Sequence, residues 1–300
     1  MEHPVTTLAG LGASLGNALP GASGAQAVER AFRLLSLVGG SGERGLALSE
    51  AVAASGLNKP TARRLLVALI SARMVEQDET TRRYHLGSEL YVLGQIASRR
   101  HGLLEIAGES LRRLAAASAD TAFLSMRRDD FAVCLHREEG GYPIRTHALQ
   151  AGDQHPLGVG AGSLAMLAAL TDAEVEAVLA RIAPVLAARY PGYTPEIVAR
   201  DVSLTREAGH AFNPGRVLAN SWGIGCALRF PGGRLAGALS LAAIDGRMGE
   251  DRRRDLAALL AREAAEIETR LDRLFRAEAG APQGDADAAP APIRPKRPKT

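Results

Sequence analysis

Two short helical stretches separated by a tight break constrain this chain more than any other feature. Leu46-Ala47-Leu48-Ser49-Glu50 leads into the first, with Ser49 placed to cap a helix ending near Ala54. Ser55-Gly56-Leu57-Asn58 then interrupts it, the glycine supplying a left-handed residue. The second helix is expected over Lys59 to Ala72, with Pro60 tolerated in its first turn. At about 100° per residue, Ala62, Leu65, Leu66, Leu69 and Ile70 share one side. Pro60, Arg64, Val67 and Ser71 point the opposite way, and Thr61 and Arg63 lie on the flanks. Helix, glycine turn, helix is the helix-turn-helix arrangement. A preceding helix over Gln26–Val38 (Val28, Ala31, Leu34, Leu35, Val38) supplies an apolar face to pack against it.

An outward helix face carrying arginine and a hydroxyl near its start has the chemistry of a major-groove reader. Arginine pairs bidentately with guanine or clamps a phosphate, and threonine reaches a phosphate or a thymine methyl. Arg64, Thr61 and Arg63 are the expected readers, with Lys59 on phosphate and Pro60 at the helix start. Met74–Gln77 and Arg82–Leu86 flank the polar turn Asp78-Glu79-Thr80-Thr81, which predicts a β-hairpin wing that brings Arg82 and Arg83 to the DNA backbone. Charge placement agrees: residues 25–101 hold eleven cations and seven anions, while the whole chain is only +3. The competing reading is a winged helix that binds protein, with no specific DNA site. Salt separates the two, because phosphate neutralisation makes affinity fall steeply with ionic strength.

The run Ala27-Val28-Glu29-Arg30-Ala31-Phe32-Arg33-Leu34-Leu35, together with Leu48-Ser49-Glu50, Ser55–Leu66 and Tyr84-His85-Leu86-Gly87, resembles the IclR family of bacterial transcriptional regulators. Looser matches follow at Pro156–Ser163 and Leu235–Ala242. The resemblance implies an α+β chain: a winged helix-turn-helix (25–87), a linker helix (88–101) and a GAF-like α/β effector-binding domain (102–275). It also implies double-stranded operator DNA as a partner, a small organic acid as effector, no cofactor, and a homodimer or dimer of dimers. Carried over position by position, the effector cup would be lined by Gly160, Ala161, Ile224, Ser240 and Ala242, with Asn213 at a polar loop position. The chain departs from relatives in reading Gly209-His210-Ala211-Phe212-Asn213-Pro214 where they often carry acids, and in keeping a single strand serine, Ser240. A less polar pocket of that kind would suit an aromatic or branched carboxylate.

Read without the resemblance, Ser88–His101 is a helix with Leu90, Leu93, Ile96 and Ala97 on one stripe, to be covered by its own chain or by a second copy. Dimeric pairing would set two reading heads on half-sites one helical turn apart. Helices over 102–117, 172–188, 195–208 and 251–275 alternate with strands over 123–127, 131–137, 143–148, 223–230 and 235–242. Gly158-Val159-Gly160-Ala161-Gly162-Ser163 before an apolar helix exposes amide donors suited to an anion, or is a turn that needs glycine for backbone reasons alone. It is neither a Walker loop nor a nucleophile elbow. No dinucleotide fingerprint or paired metal motif occurs; Cys134-x-His136 would put two ligand types on one strand face, and a buried structural role is the other reading. These absences argue against an enzyme.

Two cysteines in apolar settings read as reduced and cytoplasmic, and a DNA-bound regulator would associate with the nucleoid. No apolar run reaches the roughly 18 residues of a membrane span. Residues 1–24 and 276–300 read as disordered; the second ends in Arg294, Lys296, Arg297 and Lys299, a solubilising cluster or a weak contact for an anionic polymer.

Overall fold

The computed structural model describes residues 26–144 and 149–280; residues 1–24 and the basic cluster at 294–299 lie outside them. The amino-terminal domain packs α1 (Gln26–Gly40), α2 (Leu48–Ser55) and α3 (Lys59–Ser71) around Leu34, Val38, Ala51, Leu66 and Tyr84. Ser49 does not cap α2. The helix begins a residue earlier, and the Ala47 N–H donates to the Glu50 carboxylate at 2.8 Å. Glu50, in the first turn, thus reaches back to the amide of the residue that precedes the helix, while Ser49 lies inside that turn. That amide bond, with Arg44 beside it, lowers the Glu50 carboxyl to about 2. Gly56 adopts φ 68° and donates its N–H to Val52 O at 3.1 Å, so the break needs a residue without a Cβ penalty. Asn58 starts α3 by accepting from the Thr61 N–H at 2.9 Å.

The wing is a hairpin of β1 (Val75–Gln77) and β2 (Tyr84–Leu86), paired antiparallel with Glu76 opposite His85. Leu46 and Tyr84 exchange two backbone bonds of 2.9 Å, which bind the wing to the segment before α2. Between the strands Asp78 Oδ1 accepts from the Thr80 and Thr81 amides and the Thr81 hydroxyl. Helix α4 (Ser88–His101) leads away from the wing. Among the described residues little covers its apolar side: Ile96 is 62% exposed, and Tyr91, Val92 and Leu93 are exposed with it.

The second domain has three layers. A six-stranded antiparallel sheet runs in the order β5-β4-β3-β8-β7-β6, from β3 (Thr121–Arg128), β4 (Phe131–Glu138), β5 (Gln154–Pro156), β6 (Ala211–Leu218), β7 (Ser221–Arg229) and β8 (Leu235–Ile244). On one face α5 (Leu103–Ser118) and α9 (Glu250–Gly280) bury Leu111, Leu114, Leu124, Leu239, Leu241 and Leu260. On the other face α6 (Ala161–Ala168), α7 (Asp172–Arg189) and α8 (Pro195–Ala208) enclose Leu157, Met166, Leu167, Ile182 and Val198. Thr171 and Thr194 start α7 and α8 by accepting from the Glu174 and Ile197 amides.

Three expectations change here. Pro143 and Ile144 lie in a bend, residues 145–148 are outside the described ones, and the edge strand is β5 instead. Asn213 sits in β6, opposite Gly223, rather than in a loop. Helix α9 runs on to Gly280 where a tail was expected from residue 276.

Asp120, buried at the start of β3, ties three elements together. Its carboxylate takes Arg247 Nε at 2.9 Å and an Arg252 amino group at 2.7 Å, and both arginines also donate to Ser118 O. Removing one partner from such a buried set strands the other charges. Asp120→Ala is therefore expected to lower unfolding stability by roughly 3 kcal/mol, read as a shift in urea midpoint. A midpoint equal to that of the wild type would refute the assignment.

Candidate functional site

The exposed side of α3 exists because its other side is completely used. Ala62 and Leu66 are fully buried, and Leu65, Leu69 and Ile70 pack against the same core. Lys59, Pro60, Arg63, Arg64, Val67 and Ser71 are left exposed, while Thr61 is half-buried at the flank. Among the described residues no ion pair engages Lys59, Arg63, Arg64 or Arg82. Their charge is available to an outside anion.

Arg83 differs from expectation. Its guanidinium donates to Gly45 O at 2.9 Å and to Glu50 Oε2 at 3.1 Å, so it braces the wing against the α2 entry. Arg82 adopts φ 59° in the turn and is exposed, which leaves it as the wing cation that faces solvent.

The second feature is a cavity of about 50 Å³ between the sheet and the start of α6. Five of the six expected effector residues border it: Gly160, Ala161, Asn213, Ser240 and Ala242. Ile224 does not. It pairs with Leu241 and is buried in the opposite core against α5 and α9, because side chains alternate along a strand. Its neighbour Gly223 faces the cavity instead. Close approach of α6 to the sheet depends on that glycine and on Gly225. A Cβ on Gly225 would stand 3.0 Å from the Ala161 carbonyl, and one on Gly223 3.2 Å from Ala161 Cβ.

Several lining residues were not expected. Ser125 and Ser221 add hydroxyls to that of Ser240, so the cup is more polar than a single strand serine implies. His155 and Cys134 complete the wall from β5 and β4. Burial pushes the Cys134 thiol up to about 12, which leaves it protonated. Cys134 and His136 do not share a face. A bulge between Leu124 and Ser125 pairs Cys134 with cavity-lining Ser125 and His136 with Leu124 of the opposite core. Among the described residues no group of His, Cys, Asp or Glu is arranged to hold a metal ion.

Polar wiring fixes the orientation of the cavity's donors. The Gly160 N–H donates to the Tyr193 hydroxyl at 3.3 Å, and that hydroxyl donates to Asn213 Oδ1 at 3.0 Å. The Arg216 N–H donates to the same oxygen at 3.4 Å. Two donors on one atom identify it as the amide oxygen, so the Asn213 NH₂ group is the end left to face the cavity. Arg216 in turn grips Asp201 of α8 and lies over the Tyr193 ring. Ser163 is spent on Pro156 O at 2.8 Å. What remains for an occupant is the Asn213 amide, three serine hydroxyls and the first-turn amides of α6. Around these few polar groups the lining is mostly apolar, from residues that include Phe123, Leu149, Val159, Val217 and Trp222.

Comparison with known proteins finds a family match for each of the two domains. A family model of the IclR helix-turn-helix domain matches residues 27–79, and one of the bacterial transcriptional regulator IclR C-terminal domain matches residues 95–269. The glycerol operon regulatory protein of Streptomyces griseus is 35% identical over 44% of this chain, which spans about half (51%) of that relative's length. The HTH-type transcriptional repressor AllR of Salmonella typhi is 27% identical over 76% of this chain and 84% of its own. Among solved structures, an IclR transcriptional regulator from Alicyclobacillus acidocaldarius superposes with TM-score 0.70 at 25% identity, covering 81% of this chain and 98% of that one. An IclR homologue from Microbacterium hydrocarbonoxydans, solved with 4-hydroxybenzoate, shares the fold at TM-score 0.68 and 23% identity, over 82% and 98% of the two chains.

The His155 ring lies 3.3 Å from the Tyr190 hydroxyl and is fully buried, and burial lowers its pKa from 6.5 to about 4. Between those values the unfolded chain takes up a proton that the native chain refuses. Stability is therefore complete above pH 6.5 and falls as the pH drops toward 4, by roughly 3 kcal/mol in full. Unfolding at pH 7 and pH 5 should show wild type losing about 2 kcal/mol more than His155→Gln. Equal losses in the two proteins would sink this account.

Proposed function

Since this chain belongs to the IclR family of bacterial transcriptional regulators, we propose that it works as a homodimer that represses or activates a catabolic operon in response to a small organic acid. One observation supports the DNA-reading half most: Arg63 and Arg64 stand exposed and without ion pairs on a helix whose other face is sealed in the core. Arg64 and Arg63 then address base edges with Thr61 beside them, Pro60 sets the helix start, and Lys59 and Arg82 hold phosphates. Arg83 acts from behind by fixing the wing. A second copy covers the apolar stripe of α4 and brings two reading heads to one side of the duplex. The protein acts in the cytoplasm, on the nucleoid.

The cavity supports a compact carboxylate whose carbon skeleton meets apolar walls that include Phe123, Val159 and Val217. At about 50 Å³ it is well below the roughly 150 Å³ that encloses benzene in an engineered core. The α6 amides and Asn213 take the carboxylate, and Ser125, Ser221 and Ser240 take hydroxyl or carbonyl oxygens. Coupling between such a ligand and the DNA face is worth typically 1–3 kcal/mol.

Arg64→Ala is expected to cost about 1–3 kcal/mol in operator binding and to relax base preference at one position. Arg82→Ala should weaken binding evenly across sequences and reduce the salt slope by about one. Titration of a labelled duplex at two salt concentrations reads both; salt-independent association would favour a protein partner instead. For the cavity, a thermal-shift screen of two- to four-carbon carboxylates should give stabilisation that Asn213→Ala removes. Stabilisation by sugars or cations alone would exclude the acid.

A further inference from the structure

Val67 is an exposed aliphatic side chain, 52% accessible, on a helix face otherwise made of arginine, proline and serine. It belongs to α3, where Ala62 and Leu66 already supply the buried contacts, so the domain core does not need it. It lies one turn beyond Arg64 and one turn before Ser71, in the middle of the outward strip. Ser71 is not a ready base reader, because its hydroxyl donates to Val67 O at 3.0 Å. The strip therefore presents a charged donor at Arg64 and, about 4.5 Å further along the axis, a branched apolar tip at Val67.

In the major groove only one base offers an apolar group: thymine, through its C5-methyl. An axial offset of about 4.5 Å between residues corresponds to one or two steps of the duplex at about 3.4 Å each. We propose that Val67 is a specificity-determining residue that packs on the methyl group of a thymine within two base pairs of the base addressed by Arg64. This rests on the reading of α3 as the DNA-reading helix and goes beyond it by assigning the chemistry of a second operator position. Valine suits the task because its χ1 is stiff in a helix, so little rotamer freedom is lost on contact.

The experiment uses full-length protein and a duplex recovered by selection from a random pool. Each thymine in the selected site is replaced in turn by uracil, which removes the methyl and keeps the Watson–Crick pair. One replacement, next to the position whose preference Arg64→Ala relaxes, is expected to weaken wild type about fourfold, the worth of roughly one buried methylene. The same replacement should leave Val67→Ala unchanged, while Val67→Ile keeps the sensitivity. Because the residue is exposed, these variants fold as wild type does, which thermal unfolding checks. If no uracil affects wild type while Arg64→Ala still loses base preference, or if Val67→Ala keeps the full uracil effect, the assignment to Val67 is overturned and the DNA-reading role of α3 stands. If wild type recovers no duplex from the pool at all, the DNA-reading role itself falls.

Discussion

Burial of one side of α3 is the constraint on which the amino-terminal domain depends. Ala62 and Leu66 have no solvent exposure, and a helix can bury only one stripe against a core this small. The opposite stripe is therefore committed to solvent or to a partner. The neighbouring joints lock that orientation. Gly56 turns the chain between α2 and α3, Asn58 caps the helix start, and Leu46 and Tyr84 tie the wing to the α2 entry. Glu50 links these joints by accepting from the Ala47 amide, Arg44 and Arg83 together. One carboxylate thus sets a helix start and a wing position, and it spends a cation that the surface would otherwise show.

A parallel constraint shapes the second domain. The α6 N-terminus rests directly on β7, which Gly223 and Gly225 make possible by carrying no side chain toward it. With bulkier residues there the helix would lift from the sheet, and its first-turn amides would no longer border the cavity. The cavity is consequently small, with a few polar groups set in a mostly apolar wall. Its polar groups are held from outside by Tyr193, itself braced by Arg216 and through it by Asp201 of α8.

Local features of the sequence carried most of the fold. The 3.6-residue period of α3, the Gly56 break and the paired short strands of the wing are all written in one continuous stretch, residues 56–86. The misreadings share a different origin. Ser49 has no capping role because the helix already starts at Leu48, which leaves Ser49 inside its first turn. Ile224 was placed in the cup, yet strand alternation against β8 sends it to the opposite core. His136 was separated from Cys134 by a bulge, which no residue spacing announces. Asn213 was carried to a loop position by the family resemblance, although here the strand runs through it and continues through an irregularity to Leu218. Ser125, Ser221 and His155 reach the cavity from three separate segments, with Tyr193 supporting it from a fourth, and only tertiary pairing shows that they meet.

The same wiring bears on how a ligand could alter the protein under the proposed reading. A ligand shifts an equilibrium only by its differential affinity for two arrangements. Here the Gly160 amide is held by the Tyr193 hydroxyl, and Asn213 Oδ1 by the same hydroxyl and the Arg216 amide. An acid seated on Asn213 and the α6 amides would therefore act on groups that already join α6, β6 and α8. Its leverage is the position of α6 relative to β6, since those two elements hold the donors from opposite sides of the cavity. The apolar stripe of α4 has little cover among the described residues, so in the proposed dimer a shift between copies is the motion least opposed by packing within one chain. Ligand binding and operator spacing are then connected through an assembly contact, rather than through any deformation of the small core that presents α3.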